Sequence, residues 1–247
     1  MSRIAPIVPA ETDMLCEGCG YTLNGLPTGA RCPECGKPLA ESVHASRSAP
    51  SWEQQEFSRP FSFVSTTGSV IFRTTEFYRT LTTRSDTRPA VNFARLHWLI
   101  ASILFAITAS IHLRSMGGFS FNSGWPYPLW LESLICAGFV LVTYGSLSGI
   151  TWLAARLTNW EATYRGLRLP TPVVLRGMYY HAAHYLPVAL MAFLTVAIYH
   201  RLLIAGIFTY RSIVPYLYVV GGEVILGAVY LFQTYWIGMR NMMYANR

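Results

Sequence analysis

SLICAGFVLVTYGSLSGITWLAA, residues 133–155, contains twenty-three consecutive uncharged residues between Glu132 and Arg156. As an α-helix this stretch would be about 34 Å long, enough to cross the ~30 Å hydrocarbon core of a lipid bilayer. Because no charged side chain interrupts it, the helix could enter lipid without burying a charge. We therefore interpret this stretch as a membrane-spanning helix.

Further apolar segments of similar length fill the C-terminal part of the chain, so residues 95–247 are predicted to form a four-helix transmembrane domain. Pro187 lies inside the third segment and should kink its helix, because proline lacks the N–H group and its ring clashes with the preceding turn. The predicted spans are residues 96–113, 133–155, 178–200 and 212–236.

Four of the five cysteines form two C-x2-C pairs, separated by twelve residues, near the N-terminus. Each pair supplies two thiolates from a short knuckle, and four such sulfurs form the tetrahedron that zinc accepts in structural sites. Two disulfides or a thioredoxin-like redox pair are the alternatives, but two matched knuckles without a βαβ pattern favour zinc. Gly20 and Gly36 follow the pairs and suit the positive φ that turns backbone amides toward the sulfurs. The predicted ligands of one structural zinc ion are Cys16, Cys19, Cys32 and Cys35.

The cysteine runs CEGCGYTLNGLP, residues 16–27, and RCPECG, residues 31–36, resemble a known module. They are similar to the N-terminal zinc ribbon of bacterial membrane proteins, planctomycete ones especially, in which the ribbon precedes a multi-pass region distantly similar to Yip1 proteins. The resemblance implies zinc on the four cysteines and implies no catalytic residue. The predicted fold class is thus an α-helical integral membrane protein, with about four transmembrane helices and a small N-terminal zinc ribbon built on a β-hairpin.

The region before the spans divides by composition into four segments. We predict a disordered lead over 1–14, the zinc ribbon over 15–38, and a linker rich in Ser, Ala, Glu and Pro over 39–60. Residues 61–94 form an amphipathic or interfacial region. A helix over 70–81 would place its apolar and charged residues on opposite faces, with Phe72 as the exception. Such a helix lies either in the membrane interface or against the rest of the protein.

The net charge of +7 comes almost wholly from arginine, since Lys37 is the only lysine. These arginines flank apolar spans, so they indicate orientation in a membrane and not a nucleic-acid partner. Ten lie on one predicted side: Arg79, Arg84, Arg88, Arg95, Arg156, Arg165, Arg168, Arg176, Arg240 and Arg247. Three lie on the other: Arg114, Arg201 and Arg211. Both termini are therefore predicted to be cytoplasmic, in a compartment where thiols stay reduced and free for zinc. The resemblance implies that the membrane is a bacterial inner membrane.

Glu223 is the one charged residue within the fourth predicted span, about 17 Å from the outer end of that helix. Ionisable residues at this depth are functional candidates, although a protonated carboxyl with a hydrogen bond inside the bundle is the structural alternative. We considered hydroxyl groups of the first two spans as partners: Thr108, Ser110, Thr143, Tyr144 and Ser146.

Two other patterns each leave two interpretations open. His181 and His184 are three residues apart and could share a metal, but interfacial histidines are the simpler interpretation. Gly145 and Gly149 form a GxxxG motif, which permits close helix packing either within the chain or between two copies in a homo-oligomer.

The sequence contains no Gly-rich phosphate loop, no HExxH and no GxSxG motif. We therefore expect a non-enzymatic protein that resides in the lipid bilayer and recruits or organises a cytoplasmic protein partner through its zinc ribbon. A small transporter or channel component that uses Glu223 is the alternative hypothesis.

Overall fold

A computed structural model of the chain describes residues 13–27, 29–43, 47–54, 58–83, 86–117, 129–165, 169, 171–208 and 213–246. Most of these residues are helical, and no β-strand lies among them. The predicted lead falls outside the described residues except for Asp13 and Met14. The helices are α1 Ala40–Val43, α2 Ser51–Gln54, α3 Arg59–Phe72, α4 Thr74–Thr80, α5 Arg88–Gly117, α6 Leu129–Tyr164, α7 Thr171–His181, α8 Tyr185–Ile204 and α9 Ile213–Met242.

Four helical segments are long and apolar enough to cross a membrane: Arg88–Leu113, Trp130–Tyr164, Thr171–Ile204 and Ile213–Met242. Each contains one predicted span, apart from Ser212, which lies outside the described residues. The helices extend beyond the predicted spans because charged and aromatic residues at each end continue the helical turns. Their length and composition are those of an integral membrane protein.

The third segment is interrupted where the sequence predicts a kink. Helix α7 ends at His181, a 3-10 turn covers Ala182–His184, and α8 then continues to Ile204. Pro187 cannot donate to the carbonyl of Ala183, and its ring crowds that carbonyl, so the regular helix breaks one turn before the proline. The kink that Pro187 predicts therefore coincides with an interruption of the regular helix.

The chain divides into two compact units. The first, which we call the cysteine unit, comprises Met1–Ala94, Thr151–Ala183 and Thr234–Arg247. The second, which we call the span unit, comprises Arg95–Ile150 and His184–Gln233. Distant parts of the sequence therefore share one unit.

The core of the cysteine unit is built on aromatic side chains. The ring of Tyr180 contacts those of Phe77 and Phe93, with ring centroids 5.3 and 5.1 Å apart. Tyr78 is fully buried beside them, and its hydroxyl donates to the carbonyl of Gly177. The apolar face of residues 70–81 thus packs on protein, as one of the two interpretations expected, while Phe72 is 85% exposed.

Small residues let α9 approach this core closely. A Cβ atom added at Gly238 would lie 3.0–3.2 Å from three ring carbons of Tyr78. A Cβ added at Gly177 would lie 2.9 Å from the sulfur of Met242. By contrast, a Cβ added at Gly145 or Gly149 would meet no described atom within 4 Å. Packing within the chain therefore does not explain the GxxxG motif in the part of the molecule described.

The segment interpreted as a linker, residues 39–60, makes specific contacts. Ser48 forms a bridge with Leu81, in which its N–H donates to the carbonyl of Thr80 at 2.7 Å. The indole N–H of Trp52 donates to the carbonyl of Pro89 at 2.8 Å. The described residues of this segment therefore contact other elements of the cysteine unit. Its polar composition conceals individual side chains that bind distant backbone groups.

Candidate metal centre and intramembrane carboxyl

The two C-x2-C pairs form matching knuckles. In the first, the N–H of Gly20 donates to the carbonyl of Cys16 at 2.8 Å; in the second, Gly36 donates to Cys32 at 2.9 Å. Both glycines have positive φ, 81° and 72°, as the sequence predicts. This left-handed conformation is readily available only to glycine, so the residue after each pair determines how the knuckle closes.

The four cysteine sulfurs, Cys16, Cys19, Cys32 and Cys35, lie within 4.8 Å of one another. Sγ of Cys16 is 3.5 Å from Sγ of Cys35, and Sγ of Cys19 is 3.5 Å from Sγ of Cys32. A tetrahedral zinc site with Zn–S bonds of 2.3 Å has sulfur separations of about 3.8 Å. The cluster therefore has the donor set and spacing to hold a metal ion such as zinc.

The surroundings of the cluster shift the pKa values of two of its thiols in opposite directions. Burial disfavours the Cys16 thiolate, but backbone N–H groups of Gly18 and Cys19 and the neighbouring thiols outweigh burial and lower its pKa to about 7. Burial raises the pKa of Cys19 to about 12, and the adjacent thiols act in the same direction. Four adjacent thiolates repel one another, so a bound divalent cation would favour their ionisation together.

A small apolar core surrounds the sulfurs. Leu23 and Leu39 are 3% and 6% exposed, and they pack with the buried Cys16 and Cys32. No strand forms here in the described residues; isolated bridges join Leu15 to Thr22 and Arg31 to Pro38. The predicted β-hairpin is thus not observed as regular strands. Each cysteine pair is enclosed by a tight turn, and only one residue on each side of that turn takes part in a bridge.

An ion pair anchors the first knuckle. Glu17 lies between its two cysteines, and Oε1 of Glu17 accepts from Nη2 of Arg47 at 2.9 Å. Both side chains are less than 10% exposed. Arg47 also donates to the carbonyl of Leu81 at 3.0 Å. One guanidinium therefore joins the cysteine segment, residues 15–38, to the residue that follows α4.

The C-terminal residues also contact the cysteine segment. Asn246 Oδ1 accepts from the N–H of Leu15 at 2.9 Å, and its Nδ2 donates to the carbonyls of Leu15 and Ser42 at 2.7 and 3.0 Å. The ring of Tyr244 lies so close to Gly20 that a Cβ atom there would be 2.4 Å from it. Sequence reasoning missed both residues, because no local pattern marks a side chain that binds a segment more than 200 residues away.

Glu223 lies in the span unit, half-buried on α9. Its carboxylate accepts a hydrogen bond from the hydroxyl of Thr195 on α8. Thr195 was not among the expected partners. The hydroxyls of Thr108, Ser110 and Ser146 instead donate to carbonyls of their own helices.

Other polar groups occupy the same helices as Glu223. Tyr216, two turns earlier on α9, has its hydroxyl 2.5 Å from Nδ1 of His112. The ring of Tyr216 stacks on Tyr199 of α8 at a centroid distance of 3.8 Å. The Tyr199 hydroxyl is buried and has no hydrogen-bond partner among the described residues. Hydroxyl and imidazole groups therefore accompany the carboxylate within the span unit.

The two histidines of the third segment bind hydroxyl groups of α9. Nε2 of His181 is 3.0 Å from Oγ1 of Thr234, and Nδ1 of His184 is 2.8 Å from the hydroxyl of Tyr230. Both histidines are buried, 4% and 0% exposed. In the part of the chain described, the four cysteines form the one cluster of ligating side chains suited to a metal, and neither histidine belongs to it.

Comparison of the chain with protein-family models, with curated proteins and with solved structures finds no match in any of the three.

Proposed function

We propose that the four-cysteine cluster binds one structural zinc ion and that residues 15–38 act as a zinc ribbon. The observation that supports this is the convergence of four sulfurs within 4.8 Å on two matching knuckles. Four thiolates at tetrahedral spacing leave no open coordination position, as in structural zinc sites and unlike catalytic ones. This proposal does not depend on the Yip1-like resemblance.

The protein would then be a non-enzymatic membrane protein whose cytoplasmic zinc ribbon recruits or organises a protein partner. The bilayer anchors the chain, and the ribbon presents residues such as Tyr21, which is 39% exposed, on a rigid scaffold. Because Asn246 and Arg47 join this scaffold to the rest of the cysteine unit, a partner bound there would be held at the membrane surface.

Crosslinking in native membranes tests this role with the full chain. We would compare the wild type with Cys32→Ser, and use Cys136→Ser as the matched control because Cys136 lies on α6, away from the cluster in sequence. A specific protein adduct in the wild type and Cys136→Ser that disappears in Cys32→Ser supports the proposal. Identical adducts in all three proteins would contradict it.

The arginine distribution supports an orientation with both termini in the cytoplasm. A bacterial inner membrane is what the resemblance of the cysteine runs implies. Single cysteines at Ser123 and Thr163 test this orientation with a membrane-impermeant thiol reagent in intact cells. Ser123 lies outside the described residues, and Thr163 is exposed near the end of α6. We expect labelling at position 123 and protection at 163. The reverse pattern would overturn the topology.

A second candidate function, a small transporter or channel component, is favoured by the half-buried Glu223 and its hydrogen bond from Thr195. A carboxyl group within a membrane span can take up and release a proton or bind a cation. Proton flux into proteoliposomes tests this. The control is Glu161→Gln, which removes a carboxylate in the last turn of α6. Flux that is lost in Glu223→Gln and kept in Glu161→Gln supports transport. No flux by the wild type above protein-free vesicles would contradict it.

A homo-oligomer through Gly145 and Gly149 also remains a proposal. It is supported by the open space around both glycines, with no described atom within 4 Å of an added Cβ.

A further inference from the structure

Three proton-exchanging side chains follow one another at seven-residue spacing along α9: Tyr216, Glu223 and Tyr230. Because this spacing is close to two helical turns, the three side chains share one face of the helix. Tyr218 and Val224 on other faces of α9 are 78% and 68% exposed, whereas Tyr216 is 4% exposed and the other two members are half-buried. This Tyr–Glu–Tyr stripe therefore faces the interior of the span unit.

The two tyrosines of the stripe each meet an imidazole from another helical segment of the same unit. The hydroxyl of Tyr216 is 2.5 Å from Nδ1 of His112 on α5. The hydroxyl of Tyr230 is 2.8 Å from Nδ1 of His184, which immediately precedes α8. Both ends of the stripe therefore pair a phenol with an imidazole.

The carboxyl group of Glu223 lies midway between these two pairs and joins α9 to α8. It accepts a hydrogen bond from the hydroxyl of Thr195 on α8. One turn further along α9, a Cβ atom added at Gly227 would lie 3.1 Å from a methyl carbon of Val188 on α8, so the two helices approach closely here. Along the helix axis, Glu223 is ~10 Å from each tyrosine of the stripe.

Tyr199 adds a buried hydroxyl to the same side of α8 as Thr195. It follows Thr195 by one helical turn, and its ring stacks on that of Tyr216 at a centroid distance of 3.8 Å. Its hydroxyl has no hydrogen-bond partner among the residues that the structure describes. A buried hydroxyl without a partner is unfavourable, and ordered water is a common partner of such groups. A water molecule bound to this hydroxyl would lie near Tyr216 on the face of α8 that carries Thr195.

The chemistry of these groups suits a proton better than a metal cation. Imidazole, phenol and carboxyl groups each bind and release protons, whereas a metal cation needs several ligands that converge on one point. Glu223 belongs to no cluster of three or more His, Cys, Asp or Glu side chains in the described part of the chain. Carboxyl and imidazole groups in membrane spans are typical of proton relays.

We infer that Glu223 exchanges protons and that the two phenol–imidazole pairs deliver protons to it, one pair on either side. This inference rests on the transporter or channel function given above as the second candidate, and it names the proton as the transported species. A phenol oxygen accepts a proton while its own hydrogen passes to the next group, so each step breaks one O–H or N–H bond and forms another. Because ~10 Å exceeds one hydrogen bond, ordered water must complete each connection to Glu223. A pH gradient supplies the driving force.

Proton flux into proteoliposomes that contain the full-length protein tests this inference, with an imposed pH gradient and with potassium and valinomycin to compensate charge. Tyr216→Phe and Tyr230→Phe each keep the ring and remove only the hydroxyl. We expect each to slow proton flux by about tenfold or more, because a positioned proton donor contributes at least that much to proton transfer. His112→Gln keeps a hydrogen-bonding side chain that does not titrate, and it should slow the flux as well. Tyr218→Phe is the matched control, since Tyr218 is exposed on the same helix, and it should conduct like the wild type.

Thermal unfolding in detergent identifies the variants that remain folded, and slower proton flux in those stripe variants, with normal flux in Tyr218→Phe, supports the inference. Proton flux that is lost in Glu223→Gln but unchanged in the tyrosine and histidine variants would overturn the inference and leave the transport function standing. Sodium flux that Glu223→Gln abolishes, without any proton flux, would do the same. No flux of either ion by the wild type above protein-free vesicles would overturn both.

Discussion

Arg176 is the most deeply buried charged side chain among the described residues of the cysteine unit, 1% exposed. Its guanidinium donates to Glu53 at 2.8 Å, to the hydroxyl of Thr82 at 3.0 Å and to the carbonyl of Asp86 at 3.2 Å. From the sequence, Arg176 was counted as one of ten orientation signals. The structure gives it a further part, because it joins α7 to residues from the segment interpreted as a linker.

We expect Arg176→Met to destabilise the protein by about 3–5 kcal/mol, since it leaves the Glu53 carboxylate buried without its cation. Arg165→Met is the matched control, because the Arg165–Glu161 pair is 57% and 45% exposed and such pairs contribute about 0–1 kcal/mol. The free energy of unfolding in detergent measures both. Equal stability of the two variants would show that the Arg176–Glu53 ion pair does not stabilise the contact between α7 and α2.

Asn246 is the residue that binds the cysteine segment most directly. Asn246→Ala removes three hydrogen bonds and leaves backbone groups of Leu15 without their partner. We expect it to release zinc to a competing chelator several-fold faster than the wild type. Asn241→Ala is the control, because Asn241 donates only to a carbonyl of its own helix, that of Ile237. Equal release from both variants would argue against this coupling.

At the scale of the elements, local signals predicted the helices well. Uncharged stretches determine membrane spans by length alone, and Pro187 acts on its own preceding turn, so both features can be read from neighbouring residues. Residues 39–60 also contact other elements, because Trp52 and Arg47 donate to their backbone carbonyls. Composition does not reveal contacts of that kind.

The approach of α9 to Tyr78 depends on Gly238. We expect Gly238→Val to destabilise the cysteine unit by about 1–3 kcal/mol, the usual cost of overpacking, because the added atoms overlap a fully buried ring. Gly138→Val is the matched control in open space on α6, outside the GxxxG motif, and should be tolerated. Thermal unfolding of both variants in detergent tests this. A larger loss in Gly138→Val would contradict the packing described.

At the scale of the whole molecule, residues from both ends of the chain meet in the cysteine unit. The sequence was sufficient for the four cysteines and the two glycines, because their spacing is local. It was not sufficient for Asn246, Tyr244 or the Arg47–Glu17 pair, because each is one side chain that contacts a distant segment. Because these contacts join residues 15–38 to the rest of the cysteine unit, we do not expect the ribbon to unfold independently of that unit.

We accordingly expect metal chelation to lower the melting temperature of the full-length protein, followed by its helical circular dichroism. Unfolding of residues 15–38 would break the hydrogen bonds of Glu17 with Arg47 and of Leu15 with Asn246, and so weaken the unit that contains the end of α9. The shift should be smaller in Asn246→Ala. Superimposable melting curves with and without chelator would show that residues 15–38 do not stabilise the rest of the protein.

The central claim is that Cys16, Cys19, Cys32 and Cys35 together hold one zinc ion, and metal analysis of the purified full-length protein tests it most directly. We expect one equivalent of zinc per chain in the wild type and in Cys136→Ser, and loss of that zinc in Cys32→Ser. Absence of zinc from the wild type, or an unchanged zinc content in Cys32→Ser, would contradict the account.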